Sequence, residues 1–100
     1  MKIDLKPLAE QVIVIAGASS GIGLVTARTA ARGGAPVVLA ARNEAEPDNA
    51  VESIRNEGGR AVSQMCDVSD PSQVEALADR AVAEFGGLDT WVNCAAVSVY

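Results

Sequence analysis

Four short apolar runs alternate along the chain with three segments that have helical spacing. The apolar runs cover residues 11–16, 36–41, 60–66 and 88–94. The first two carry apolar residues without a polar alternation, which is typical of strands buried on both faces of a parallel sheet. The run at 60–66 is weaker by periodicity, and we predict it as a strand partly because it lies between two helices. Residues 1–10 are predicted as a short leader, in which Pro7 blocks regular structure before the first strand.

The first two helices are predicted from apolar positions and glycine ends. Residues 22–32 have a broad apolar face that includes Ile22, Leu24 and Val25, and Gly33-Gly34 follows the last helical position. The second helix is less well defined. Its first turn includes Pro47, its thin apolar side is formed by Ala50, Val51 and Ile54, and it is predicted to end at Gly58-Gly59.

The third helix has the clearest signals. Asp70 is a suitable N-cap, Pro71 fits the first helical position, and Gln73 is placed to form a capping-box-like pair with Asp70. Apolar residues then recur at helical spacing until Gly86-Gly87, at Val74, Leu77, Ala78, Ala81, Val82 and Phe85.

The order β-α-β-α-β-α-β predicts an α/β fold with parallel strands and right-handed crossovers. We expect the first half of a Rossmann-type doubly wound sheet, with strand order 3-2-1-4 and a switch point between strands one and four. At 100 residues the chain is predicted to be a single domain, residues 1–100.

Glycines interrupt the chain between the first strand and the first helix. Gly17, Gly21 and Gly23 lie within seven residues, and glycine permits both a sharp turn and a close approach of the backbone to another group. The free N–H groups and the positive dipole end of the following helix favour a phosphate at this turn. An ordinary strand-to-helix turn, with glycines that only permit packing, is the alternative.

Charge and composition narrow the possible functions. The net charge of −5 argues against a nucleic-acid surface or a basic membrane-binding face, and aromatic residues make up only 3%. No signal peptide or transmembrane run is recognisable, so we expect a cytoplasmic protein. Cys66 and Cys94 have no metal-ligand spacing and the chain has no histidine, so no metal site is predicted. The expected strand order separates the two thiols by about 14 Å, and we predict that both are free.

The glycine spacing G-x-x-x-G-x-G, with Ile22 between the last two glycines, resembles the short-chain dehydrogenase/reductase (SDR) family. Further matches to the family follow along the chain, in the segments Asp67-Val68, Leu88-Asp89 and Asn93-Cys94-Ala95-Ala96. Together they cover residues 10–98. The resemblance is therefore carried by several motifs, each on the element where the family has it.

This resemblance implies an NAD(P) site. The pyrophosphate would be wrapped through backbone N–H groups, hydroxyls and close approach by Gly17, Ser19, Ser20, Gly21, Ile22 and Gly23. Asp67 would accept a hydrogen bond from the adenine amino group, and Val68 would pack beside the ring. Asn93 and Ala95 would line the ribose on the nicotinamide side.

The end of strand two indicates which dinucleotide binds. An acidic residue there would bind the 2′-hydroxyl of NAD, whereas a nearby arginine accommodates the 2′-phosphate of NADP. Here Ala41 occupies that position and Arg42 follows it, so NADP is expected in preference to NAD. Alternatively, Arg42 could be a solvated loop residue that pairs with Glu44 or Glu46.

Structural roles are also open for other candidates. Asp67 could cap a turn, but Asp70 already caps the third helix, which would leave Asp67 for a ligand. Asn93 could equally tie its strand to a neighbouring loop. We expect Trp91 to pack in or beside the sheet and Cys94 to be a small apolar residue rather than a nucleophile.

The sequence departs from the family at three positions, where Ala16 replaces threonine, Cys94 replaces asparagine and Ala96 replaces glycine. The first two changes remove side chains that could tie the end of strand one to the turn after strand four. These changes bear on the rigidity of the cofactor site.

The resemblance implies hydride transfer between a nicotinamide and an alcohol or carbonyl substrate, in proteins that are homo-oligomers at full length. The family's catalytic serine and Tyr-x-x-x-Lys motif do not occur in this sequence, and Tyr100 is its only tyrosine. We therefore expect a chain truncated before the catalytic segment, with no catalytic residue of its own and no turnover alone. The alternative is a non-catalytic nucleotide-binding or assembly module, which pairs the open edge of strand four with another chain.

Overall fold

The computed structural model describes residues 7–17, 21–42 and 45–94, apart from the side chains of residues 45 and 46. Within these ranges a parallel sheet has the strand order β3-β2-β1-β4. Its strands are β1 (Ile13–Ala16), β2 (Val37–Ala41), β3 (Ala61–Met65) and β4 (Thr90–Asn93). The predicted α/β fold and strand order are confirmed, and each strand is shorter at its ends than the apolar run that predicted it.

Three α-helices connect the strands: α1 (Gly21–Arg32), α2 (Ala45–Asn56) and α3 (Pro71–Phe85). The leader prediction is wrong in one respect, because Pro7 precedes a single 3-10 turn at Leu8–Glu10. The φ of −54° at Pro7 suits the start of such a turn, and the carbonyl of Pro7 accepts from the N–H of Glu10 at 2.9 Å.

The sheet is covered on both faces because its central strands alternate between two apolar clusters. Ile13, Ile15 and Leu39 pack toward α1 and α2, whereas Val14 and Val38 pack toward α3. Alanines at the inner faces of the helices allow close contact with the sheet. Trp91 is partly buried against the α3 cluster, as predicted.

Two positions on the predicted apolar face of α1 are exposed instead. Ile22 is 76% exposed and Val25 is also exposed, while Gly23, Ala27 and Ala30 on the same helix are buried. Residues three apart share a helix face, so Ile22 and Val25 form an outward apolar strip. The buried alanines of this helix belong to the same apolar cluster as residues of β1 and β2, so they form its inner face.

The N-terminus of α3 follows the prediction with one difference. Asp70 is the N-cap and its side chain accepts from the N–H of Ser72 at 3.0 Å. Gln73 donates to the carboxylate of Asp70 at 3.2 Å, but its amide oxygen accepts from the N–H of Asp67 at 2.8 Å. The helix end is thereby tied to the turn that follows β3.

Candidate cofactor-binding site

The candidate site lies where the carboxyl ends of the strands meet. The strands are parallel, so the residues that follow them, including Gly17, Arg42, Asp67 and Cys94, come together at one edge of the sheet. In this order β1 lies between β2 and β4, which is where the strand order reverses. Open α/β sheets bind ligands at such a switch point.

Gly17 turns the chain away from β1 with a backbone conformation that suits glycine. Its φ is 81°, in the left-handed region, where a Cβ would be strained. Its N–H donates to the carbonyl of Ala40 at 2.8 Å. That N–H therefore holds the turn against β2. The contribution expected from Gly17 toward a pyrophosphate is then its backbone conformation and the close approach it permits, rather than a hydrogen bond from its N–H.

The first turn of α1 follows the glycine turn at the same edge of the sheet. Among the described residues, a Cβ added to Gly21 would meet no atom within 4 Å. Ile22 beside it is exposed, whereas Gly23 is buried. The binding of a phosphate at this turn stays a prediction. Ser19 and Ser20, predicted to contribute hydroxyls, lie outside the described residues.

The backbone ties the end of β1 to the end of β4. Asn93 is in register with Ala16, and the N–H of Cys94 donates to the carbonyl of Ala16 at 2.7 Å. Ala16 and Cys94 lack the family's side chains that could tie these two ends together, and this backbone hydrogen bond ties them instead. Asn93 ends β4 at the same edge, beside the glycine turn, and Ala95 lies outside the described residues.

Arg42 and Asp67 contact each other across neighbouring strands. Arg42 Nη2 lies 3.6 Å from Asp67 Oδ2, with the side chain of Arg42 81% exposed and that of Asp67 35% exposed. The alternative partners considered for Arg42 cannot be compared, since Glu44 and the side chain of Glu46 lie outside the described residues. The sequence missed this ion pair, although both residues directly follow adjacent strands.

The side chain of Asp67 is also held by its own turn. Asp67 Oδ1 accepts from the N–H of Ser69 at 2.9 Å and from its hydroxyl at 2.7 Å. These bonds lower the pKa of Asp67, with a smaller contribution from the charge of Arg42. Asp67 thus holds its own turn while Asp70 caps α3, and its role toward a ligand stays a prediction. Val68 is exposed at the same turn.

Neither cysteine forms a disulfide, as predicted. Cys66 is 2% exposed, directly before Asp67. Burial, together with the nearby charges of Asp67 and Asp70, raises the pKa of the Cys66 thiol. It therefore belongs to the apolar packing under α3 and does not have the properties of a reactive thiol.

Among the described residues, no helix is both long enough and apolar enough to span a bilayer. Likewise, the described part of the chain contains no group of three potential metal-ligating side chains.

Comparison with known proteins places this edge in context. An uncharacterized oxidoreductase of Bacillus subtilis is 50% identical over 99% of this chain, which covers 28% of that protein. A solved hydroxysteroid dehydrogenase from Escherichia coli aligns with a TM-score of 0.82 and 33% identity, over 91% of this chain and 39% of that one. A variant of the actinorhodin polyketide ketoreductase, solved with NADPH, aligns at a TM-score of 0.79 and 32% identity.

The structural match to the ketoreductase covers 89% of this chain and 34% of the ketoreductase chain. The chain thus spans between about a quarter and two fifths of the length of these relatives. The sequence profile of the short chain dehydrogenase family matches residues 11–100. Fold, strand order and sequence therefore agree that this chain belongs to the short-chain dehydrogenase family.

Proposed function

We propose that this chain is the NADP(H)-binding portion of an oxidoreductase that transfers hydride between a nicotinamide and an alcohol or carbonyl substrate. The observation that carries the choice of NADP is the place of Arg42. It follows the buried end of β2 directly, with an exposed guanidinium at the edge where the glycine turn lies. The NADPH-bound ketoreductase among the structural relatives supports the same choice.

The described residues suit a dinucleotide. The pyrophosphate would lie against the turn at Gly17 and the first turn of α1, where the N-terminal end of the helix dipole favours an anion. Ala41 brings no carboxylate to the end of β2, so nothing at that position would repel a 2′-phosphate. Arg42 would donate to that phosphate through charge-assisted hydrogen bonds.

The remaining roles position the cofactor. Asp67 would accept from the adenine amino group, with Val68 beside the ring, while Asn93 and Ala95 would line the nicotinamide ribose. The bound nicotinamide supplies the hydride acceptor or donor. The described chain would hold the nicotinamide in one orientation near the carboxyl ends of β1 and β4. The hydrogen bond from the N–H of Cys94 to the carbonyl of Ala16 holds these two strand ends together. A cytoplasmic location and an assembly of several copies stay predictions.

Titration calorimetry with NADPH and with NADH tests the choice of cofactor. We expect tighter binding of NADPH, and the Arg42→Ala variant should lose about tenfold in NADPH affinity with little change toward NADH, because only the 2′-phosphate loses a partner. Arg32→Ala is a matched control. Arg32 pairs with Glu57 at 3.5 Å and is also well exposed, but it lies at the opposite edge of the sheet. An equal loss in both variants would contradict the proposal.

A second candidate function is an assembly module, favoured by the unpaired side of β4. Within the described residues β4 pairs only with β1, and Ile22 and Val25 on α1 are exposed apolar side chains. Such an edge can pair with a strand of another chain. A folded sample that binds neither dinucleotide but associates in light-scattering measurements would favour this function over the first.

A further inference from the structure

We propose that Asp67 limits the preference for NADP(H) by competing with the 2′-phosphate for Arg42. This inference rests on the proposed function, because it concerns the same adenosine end of the cofactor. Asp67 would then be a specificity-determining residue as well as a partner for adenine. Its effect on the phosphate would act through the guanidinium of Arg42.

The geometry makes the two residues unequal partners. Asp67 is fixed by two hydrogen bonds from Ser69, and the N–H of Asp67 is held by Gln73. The side chain of Arg42 is 81% exposed, and among the described residues it forms an ion pair with Asp67. The carboxylate is therefore the stationary member, and the arginine side chain is the one that can turn toward an incoming anion.

The charges of the two residues affect how tightly a 2′-phosphate would bind. A carboxylate 3.6 Å from the guanidinium offsets much of the positive potential that a 2′-phosphate would meet there. To bind, the phosphate must share Arg42 with Asp67 or displace Asp67 from it. NADH has no 2′-phosphate and leaves the pair intact. Asp67 thus reduces the affinity for NADPH relative to NADH below what Arg42 alone would provide.

Asp70 provides a control with almost the same local chemistry. Its Oδ1 accepts from the N–H of Ser72 at 3.0 Å and from the hydroxyl at 2.7 Å, as Asp67 does from Ser69. The described ion pairs of Arg42 include Asp67 and not Asp70. The two aspartates therefore share a turn type and a charge but differ in contact with Arg42.

The test is the ratio of the NADH to the NADPH dissociation constant, measured by calorimetry for four variants. Asp67→Asn keeps an oxygen for the Ser69 turn and removes the charge, so the ratio should rise about two- to fivefold, the range expected for an exposed ion pair. A change in the adenine contact affects both cofactors and cancels in the ratio. Asp70→Asn should leave the ratio unchanged. In an Arg42→Ala background, Asp67→Asn should no longer raise it.

Each outcome separates this inference from the proposed function. If wild-type protein binds neither dinucleotide, the proposed function fails and this inference fails with it. If wild-type protein prefers NADPH but Asp67→Asn leaves the ratio unchanged, only the competition is overturned. The same holds if Asp70→Asn raises the ratio equally, or if the rise persists without Arg42. Circular dichroism verifies folding, and Asp67→Ser, which keeps a turn-forming hydroxyl, serves as a second carboxylate-free variant.

Discussion

The two edges of the sheet contrast in how their polar groups are used. At the amino edge, side chains tie the backbone together. Arg60 donates to the carbonyls of Ala9 and Gly34 at 3.2 and 2.9 Å, and the N–H of Val12 is held by Asp89 at 2.9 Å. At the carboxyl edge, the side chain of Arg42 is 81% exposed, and its partner Asp67 is held by Ser69 within its own turn. The amino edge is thus tied together through its backbone, whereas the carboxyl edge presents the candidate binding residues.

The arginine ion pairs show the same contrast. Arg32–Glu57 at 3.5 Å and Arg42–Asp67 at 3.6 Å are similar in length and both involve exposed arginines. Arg32 ends α1, where a basic residue suits the negative end of the helix dipole. Arg42 follows a strand and has no helix end to complement. Position in the fold, rather than the pair itself, therefore distinguishes a structural arginine from a candidate binding arginine.

The largest effect on stability should come from a substitution in the core, because the core holds both edges of the sheet in place. Leu77 is 0% exposed and packs from α3 against the central strands. Leu77→Ala should lower the free energy of unfolding by about 3 kcal/mol, because it removes buried methyl groups and leaves a cavity. Urea denaturation measures this change. Val82→Ala on the same helix, at a 52% exposed position, should change it by less than about 0.5 kcal/mol; similar losses in both variants would contradict this account of the core.

A smaller effect should separate the two edges directly. Gly17 and Gly34 have φ values of 81° and 95°, the first at the carboxyl edge and the second at the amino edge. Substitution of either by alanine should destabilise the protein by about 1–2 kcal/mol, since both positions are left-handed. Only Gly17→Ala should also weaken NADPH binding, as measured by calorimetry on folded samples. Equal weakening by Gly34→Ala would remove the functional distinction between the edges.

The smallest effect is expected on the stability of the protein at acid pH. Hydrogen bonds from Ser69 and Ser72 lower the pKa values of Asp67 and Asp70 from an ordinary value of 3.8. A carboxyl group with a lowered folded-state pKa stabilises the protein above its unfolded pKa, and this stabilisation is lost as the pH falls through the folded value. Urea midpoints should therefore decline below pH 3.8, and less steeply in Asp70→Asn. An unchanged slope in that variant would show that its cap carries no such linkage.

Much of the scaffold could be predicted because its signals are local. The apolar runs, the cap at Asp70 and the glycine that ends α3 each indicate their structure within a few residues. Gly86, for example, has a φ of 81° and its N–H donates to the carbonyl of Val82 at 2.8 Å. The exposure of Ile22 and Val25 was not predictable in this way. Both are apolar at positions compatible with a buried face, and only the packing of smaller residues against the sheet shows that they point outward.

The candidate site was predictable in its location but not in its contacts. The glycine spacing and the residues after each strand identify the edge. The pairing of Arg42 with Asp67, and the use of the Gly17 N–H by Ala40, depend on distances between residues far apart in sequence. Such contacts follow from strand order and register, which no single motif encodes.

The bond from Gly17 to Ala40 also separates two properties of the proposed cofactor site. It anchors the glycine turn to β2 through main-chain atoms, two residues before Arg42. If the pyrophosphate binds at this turn as proposed, its distance from the end of β2 is set by the backbone and not by the side chains at 41 and 42. Substitutions at those two positions would then change the preference between the two dinucleotides during evolution without altering the turn.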